Sequence, residues 1–476
     1  MKKITTSDFV KKNGDVNPLL LKSAILKTNL IKIVDENLCV SVDGLLWKPL
    51  ESTEQGQLIF RNLFFTLDAQ ATLSAKTMRK ILDDIRVDAR FSKTTADSAP
   101  LTTPHDWVLF RNAVMNIYSG EVYGRNEFHK KFPCFAFRYE VDIDYQKNVS
   151  SDSFPTFHEF LKDTFQDNES AKKRLLEAIA YLLSPVRNFR QAVFLVGVPG
   201  SGKSVVLEFI RRCLDPKSVS TLDLKEIGQY NNNGDLYGKQ LNLCTDIDSD
   251  SSFNISVFKR AVCNENVTFS QKYEVSRSRP FTAKLAMAGN AFPKLKPAEV
   301  TPFLDRLFTV YFPQAVPANQ RNPNLIAALE EEKNAIVSFS FQVAQDRYFK
   351  NQQPTDDAAS EAAMHRFRDA MNPQIAFCDD FLDIGSDADF VRKSDINAIF
   401  KQFCRREGYD LISTRWLSAY IEQRFCPCYT KKNLSAINLG NVRGYTGLCW
   451  NLENIKAIDM DIYLDIKNID AFCRKD

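Results

Sequence analysis

Eight consecutive residues, Gly197, Val198, Pro199, Gly200, Ser201, Gly202, Lys203 and Ser204, carry the densest chemistry in this chain. They fit the pattern G-x-x-x-x-G-K-[ST], in which glycines let successive backbone N–H groups turn inward around phosphate oxygens. A helix starting at the lysine adds favourable partial positive charge at the same point. Lys203 would reach the β- and γ-phosphates of a nucleoside triphosphate, and the Ser204 hydroxyl would take one position on Mg2+. The flanks suit this. Residues 191–196 (QAVFLV) form an apolar run of strand length, and residues 204–214 (SVVLEFIRRCL) place Val205, Val206, Phe209, Ile210 and Cys213 on one side of a helix. The expected ligands are ATP and Mg2+, with Gly197, Pro199, Gly200, Ser201, Gly202, Lys203, Ser204 and Val205 around the nucleotide.

Three later segments supply partners for that loop. Residues 241–244 (LNLC) make a short apolar strand that delivers Thr245, Asp246, Ile247 and Asp248 at its end. A carboxylate there would hold Mg2+ through water and polarise the attacking water, although an Asp at a strand end also serves as a turn residue. Asp246 is favoured for the metal, with Asp248 as accessory or base. Residues 283–288 (AKLAMA) form another strand, ending at Gly289 and Asn290. Asn290 would bond the γ-phosphate or the nucleophilic water, or would simply turn the chain before Phe292 and Pro293. Asp305 and Arg306 precede a third strand, 307–312 (LFTVYF). Arg306 would be either an arginine finger reaching a neighbouring subunit's nucleotide or a surface cation paired with Asp305.

Between the acidic strand and the Asn strand the chain is basic: Lys259, Arg260, Lys272, Arg277, Arg279 and Lys284 face only Glu265 and Glu274. Phe269 and Tyr273 are interleaved, and residues 268–281 have the polar tip of a β-hairpin. Positive charge on a projecting hairpin tracks a phosphodiester backbone without reading sequence.

The elements that must position these residues follow from the whole chain. Its 476 residues suffice for two to four domains, and 44% apolar with 25% charged residues is ordinary for a globular protein. A net charge of +3 leaves any basic surface local. No apolar run approaches the roughly 20 residues of a membrane span, and the N-terminus has no signal-peptide core, so a cytoplasmic protein without a membrane partner is expected. Eleven scattered cysteines and histidines at 105, 129, 158 and 365 give no zinc-ligand spacing. Residues 38–47 look like a hairpin turning at Asp43 and Gly44. A helix is expected over 72–87, strand, turn and strand over 108–123, and a strong helix over 170–183. Residues 350–360 (KNQQPTDDAAS) lose apolar periodicity and suggest a linker. Beyond Asn372, helices at 393–406 and 414–425 flank a turn at Gly408, with strand-like stretches around Tyr429 and over 445–452.

In this order and spacing the motifs resemble the superfamily 3 helicases, most closely the phage, plasmid and poxvirus primase-helicases. The phosphate loop matches, as do Leu236, Tyr237, Gly238 and Lys239 before the acidic strand, residues 267–293, and Phe303, Leu304, Asp305, Arg306 and Leu307. Residues 110–121 and the helix 170–183 are similar to the helical region that precedes these ATPases. The resemblance implies an α/β fold: a P-loop AAA+-like ATPase core, a mixed α/β N-terminal domain and a C-terminal winged helix. The corresponding divisions are 1–168, 169–348, a linker at 349–371, and 372–476. It further implies a ring, typically a hexamer, moving 3′ to 5′ on single-stranded DNA, with the basic hairpins in its channel and Arg306 acting in trans. Thr245 departs from the pattern by standing where an acidic residue often precedes the main carboxylate. The first part of the chain is short and lacks an acidic metal-binding constellation, so no primase activity is expected and a separate primase or polymerase would be needed.

In the last module Thr414, Arg415, Ser418 and Arg424 fall on the second helix, and Lys431, Lys432 and Arg443 on the expected wing. Ten Lys or Arg against four Asp or Glu between residues 391 and 450 suit docking on origin duplex DNA. A small α/β domain used only for assembly is the alternative. The overall expectation is a replicative DNA helicase and replication initiator of a phage, plasmid or integrated mobile element. The competing readings are an ATP-dependent DNA-binding switch or loader with little unwinding, and a small-molecule kinase.

Overall fold

The computed structural model describes residues 17–27, 31–34, 37–41, 43–49, 80–85, 87, 103–227, 236, 238–247, 253–269, 277–293, 295–317, 319, 321–410, 413–433 and 441–451. The chain opens with α1 (Pro18–Lys27) and an antiparallel sheet of β1 (Ile31–Val34), β2 (Asn37–Ser41) and β3 (Trp47–Pro49). The turn between β2 and β3 is the one expected at Asp43 and Gly44. Gly44 takes φ +86°, which suits glycine, and the Asp43 carboxylate accepts from the Leu45 and Leu46 N–H groups at 3.0 and 2.9 Å. A second antiparallel sheet holds β4 (Trp107–Leu109), β5 (Ala113–Asn116) and β6 (Val122–Gly124). The first strand expected between Val108 and a turn at Ser119 and Gly120 is therefore two, separated by a turn at Arg111 and Asn112. Of the helix expected over 72–87, residues 80–85 and 87 are helical and the remainder lies outside the described residues. Helices α2 (Arg125–Lys131), α3 (Pro155–Phe165) and α4 (Glu169–Leu183) follow, the last N-capped by Asn168.

The centre is a five-stranded parallel sheet. Its strands are β7 (Ala192–Gly197), β8 (Val219–Ser220), β9 (Leu241–Ile247), β12 (Lys284–Gly289) and β13 (Leu307–Phe312), ordered β13-β7-β12-β9-β8. Between them lie α5 (Lys203–Arg212), α6 (Ile255–Val262), the antiparallel pair β10 (Asn266–Phe269) and β11 (Arg277–Pro280), and α7 (Pro297–Leu304). A parallel sheet is covered on both faces, so its strands must be apolar throughout rather than alternating. β7 obeys: Val193 and Leu195 join a core with Ile179, Phe209 and Ile336, while Ala192, Phe194 and Val196 join another with Phe258, Phe303 and Phe367. The chain continues through α8 (Leu325–Glu331), α9 (Lys333–Asp346), α10 (Tyr348–Asn351) and α11 (Ala358–Met371).

β13 is an edge strand, and its open side is closed by the stretch expected to be a linker. Arg174, buried on α4, donates from Nε to Thr309 O at 2.7 Å and from Nη1 to Thr355 O at 2.8 Å. Ser360 Oγ accepts from Tyr311 N–H at 3.0 Å, and Asp357 accepts from Asn168 at 2.8 Å and Ser360 N–H at 2.9 Å. Glu177 accepts both the N–H and the hydroxyl of Thr355, each at 2.7 Å. Residues 355–371 are thus a docked strap and a packed helix. Their polarity misled the sequence reading because the polar groups bond one another inside the fold and cover a sheet edge.

The last unit runs α12 (Pro373–Phe381), β14 (Leu382–Ile384), β15 (Phe390–Arg392), α13 (Lys393–Glu407), α14 (Thr414–Phe425), β16 (Cys428–Asn433), β17 (Asn441–Thr446) and β18 (Leu448–Trp450). β15, β17 and β16 form one antiparallel sheet, and β14 pairs with β18. Gly408 ends α13 at φ +71°, and Phe377, Phe400, Phe403, Leu417, Ile421 and Tyr445 fill the core.

Candidate nucleotide-binding site

The loop between β7 and α5 needs its glycines for two separate reasons. Gly197, Gly200 and Gly202 take φ +148°, +76° and +92°, a region other L-residues rarely enter. Neighbours also crowd them. A Cβ on Gly197 would overlap the Phe312 carbonyl, one on Gly200 the Arg321 guanidinium, and one on Gly202 the Phe160 ring of α3. Gly202 is the N-cap of α5, so that helix points its first N–H groups at the loop. Lys203 is buried and donates from Nζ to Gly197 O at 2.9 Å, Val198 O at 2.7 Å and Ser201 Oγ at 3.3 Å. Ser201 is buried, while Pro199, Gly200 and Ser204 are exposed and Val205 is half-buried.

Sheet register gathers the other expected residues. Gly289 of β12 pairs with Val196 of β7 on one side and with Ile247 of β9 on the other. The C-terminal ends of the three strands are therefore level, with β12 in the middle. Asn290 follows Gly289 directly and is exposed. Adjacent strands are about 4.8 Å apart, so the end of β9 lies roughly 10 Å from the start of the loop. β9 runs to Ile247, so Asp246 is a strand residue rather than one in the following turn. Asp248 lies outside the described residues.

A serine hydroxyl, as on Ser204 in the first turn of α5, and an aspartate carboxylate are the oxygen donors that Mg2+ takes. This hard cation takes one or two protein groups together with phosphates and water. Among the described residues no group of three or more His, Cys, Asp or Glu could hold a metal ion.

Arg306 stands at the other end of the sheet. It precedes β13, whose Leu307 pairs with Ala192 at the start of β7 while Phe312 pairs with Gly197 at its end. The six-residue strand puts about 20 Å between Arg306 and the loop of its own chain. Its Nη1 donates to Pro302 O at 2.8 Å, and its Nε is buried without a hydrogen-bond partner among the described residues.

The basic stretch divides. Arg277 and Arg279 are on β11, opposite Phe269 and Val267, and Lys272 lies outside the described residues. Lys284 departs from the reading that grouped it with them. It is buried at the start of β12, donating to Ser184 O at 2.6 Å, to Ser184 Oγ at 3.0 Å and to Tyr181 O, with the Tyr181 ring centroid 4.2 Å away. It caps the C-terminal carbonyls of α4 instead of facing a ligand. Burial, with nearby Arg187, holds its pKa well below 10.5, and burial pushes Tyr181 up to about 12.

In the last unit, Arg415 is exposed on the first turn of α14, and Lys431 and Arg443 are exposed cross-strand partners on β16 and β17. Lys432 lies over the Phe390 ring at 5.1 Å. Arg424 is committed elsewhere, bonded to Asp379 of α12 and to the Tyr420 hydroxyl. Arg321 was not anticipated. It sits in the segment after β13, and no spacing rule marks an arginine there as a neighbour of Gly200.

A family model described as a family of unknown function (DUF5906) matches residues 195–302, which take in the loop, β9, β12 and Asn290. No curated protein matches the chain. Among solved structures the chain is similar to one described as "The A form apo structure of NrS-1 C terminal region-CTR". The TM-score is 0.51 and the identity 10%, over 90% of this chain and 100% of that one. "The apo structure of NrS-1 C terminal region (305-718)" aligns over 90% of this chain and 99% of that one, at TM-score 0.48 and 11% identity. At this identity the first likeness is one of fold.

Proposed function

We propose that this chain is an ATP-dependent DNA helicase of a replicating phage, plasmid or integrated element, with a P-loop AAA+-like core and a winged-helix module that docks on origin duplex. One observation carries the nucleotide reading: Gly289 pairs with both Val196 and Ile247, so the phosphate loop, Asn290 and Asp246 share one edge of the sheet. In this reading the loop N–H groups and the α5 N-terminus bind the phosphates, and Lys203 exchanges its loop carbonyls for phosphate oxygens. Asn290 orients the attacking water, and Ser204 and Asp246 hold Mg2+. When bound, that ion neutralises charge developing on the phosphates.

Arg306 serves a neighbouring copy in this reading, because about 20 Å separates it from its own loop. In this reading copies stack in a hexameric ring in which each Arg306 meets the next loop and the β10–β11 basic residues face a shared channel. The order of residues 373–446, a helix, two short strands, two helices and a hairpin, supports the winged-helix reading, with Arg415, Lys431 and Lys432 as duplex contacts.

The test is hydrolysis and strand displacement on forked DNA by the wild type and by Lys203→Ala. Single-stranded DNA should stimulate hydrolysis, and the wild type alone should displace strands. Hydrolysis without displacement would favour the DNA-bound switch or loader.

A further inference from the structure

The phosphate loop is held from one side by the chain that leaves β13. Val198 N–H donates to Phe312 O at 3.1 Å, and Val316 N–H donates to Gly200 O at 3.1 Å. Arg321 then donates from Nε to Val316 O at 3.0 Å, which lays its guanidinium against Gly200, where even a methyl group would collide with it. The side chain is exposed and, among the described residues, has no carboxylate partner. Its terminal Nη groups are therefore donors with no ion pair to break, fixed beside an anion-binding loop by the same strap that anchors the loop.

We propose that Arg321 is a second cation of the phosphate site in the same chain, binding the outermost phosphate of a nucleoside triphosphate. The proposal rests on the loop being a nucleotide site. The direction of the chain selects the phosphate. The α5 N-terminus at residues 202–205 faces the inner phosphates, so the first half of the loop, where Gly200 lies, faces the outer one. Lys203 is buried inside the loop and Arg321 is exposed beside it, so the two cations approach the phosphates from different positions. A planar guanidinium with two free Nη groups suits bidentate contact with a terminal phosphate. Because the strap continues β13, this arginine is also tied through one rigid strand to Arg306 at the far end.

The experiment is equilibrium binding of fluorescent ATP and ADP analogues to the full chain, with wild type, Arg321→Ala, Arg321→Lys and Lys203→Ala compared. Arg321→Ala should weaken ATP binding roughly tenfold to hundredfold, with ADP binding nearly unchanged. Arg321→Lys should recover part of that preference, and the melting temperature of the nucleotide-free variants should stay at the wild-type value. Equal weakening for both nucleotides, or none for either, would overturn the role given to Arg321 while leaving the site intact. Failure of the wild type to bind either nucleotide would overturn the reading of the loop itself, and this inference with it.

Discussion

Lys203 donates a 2.7 Å hydrogen bond from Nζ to the carbonyl oxygen of Val198, so the loop's own backbone holds its ammonium before any ligand does. A phosphate entering the loop would offer this ammonium more strongly charged oxygens than the carbonyls that hold it here. Lys203→Ala should therefore weaken ATP binding roughly tenfold to hundredfold and lower hydrolysis by about 10²–10³-fold. Steady-state turnover with and without single-stranded DNA checks this, and unchanged strand displacement by the variant would dismiss the loop as the motor site.

Gly197→Ala should destabilise the fold by roughly 1–3 kcal/mol, because φ +148° and the Phe312 carbonyl both oppose a side chain there. Gly408 shares a positive φ but has nothing within 4 Å, so Gly408→Ala should cost only about 1 kcal/mol. Denaturant midpoints of the two variants test whether contact adds to conformation.

Arg306→Glu should leave ATP binding by isolated subunits intact and reduce hydrolysis in the assembled state by about 10³-fold or more. Mixing Arg306→Glu subunits with Lys203→Ala subunits should restore some turnover, since an intact loop can then meet an intact arginine. No recovery at any mixing ratio would count against a site shared between copies.

Ser360→Ala should cost about 1–2 kcal/mol by orphaning the Tyr311 N–H and removing one of the hydrogen bonds that the Asp357 carboxylate accepts. Burial alone would raise the Asp357 pKa, but hydrogen bonds from Ser360 and Asn168 outweigh it and hold the carboxyl below 3.8. A depressed carboxyl contributes stability that is present above its unfolded pKa and fades as pH falls through the folded one. The Ser360→Ala penalty should thus persist at neutral pH and shrink only under strongly acidic conditions, as urea unfolding across that range would show.

Lys284 gives a slope of the same sign at higher pH, from a group whose burial disfavours its charged form. Its folded pKa lies well below 10.5, so between those values the unfolded chain binds more protons and stability rises with pH. Lys284→Met should remove that slope while leaving the α4 carbonyls without their cap. Unfolding midpoints at neutral and alkaline pH, compared between wild type and variant, measure it directly.

The loop 197–204, the helices around 170–183 and 414–425 and the strand 307–312 were legible in the sequence. Their signals are local: glycine spacing, periods of 3.6 or unbroken apolar runs, and caps within a turn of the element they end. Asn290 and Asp246 were legible as strand-end residues, but nothing local states that β12 lies between β7 and β9 and aligns their ends. That follows from strand order, which is decided by which apolar faces can be buried together. For the same reason, the charges of Lys284 and Arg424 read as surface until packing supplied carbonyls to one and a carboxylate to the other. The polar run 350–360 looked like a linker until its groups were found bonded to an edge strand. A residue's type fixes the chemistry available to it, and long-range packing fixes the partner; Arg321 beside Gly200 shows the second with no trace in the first.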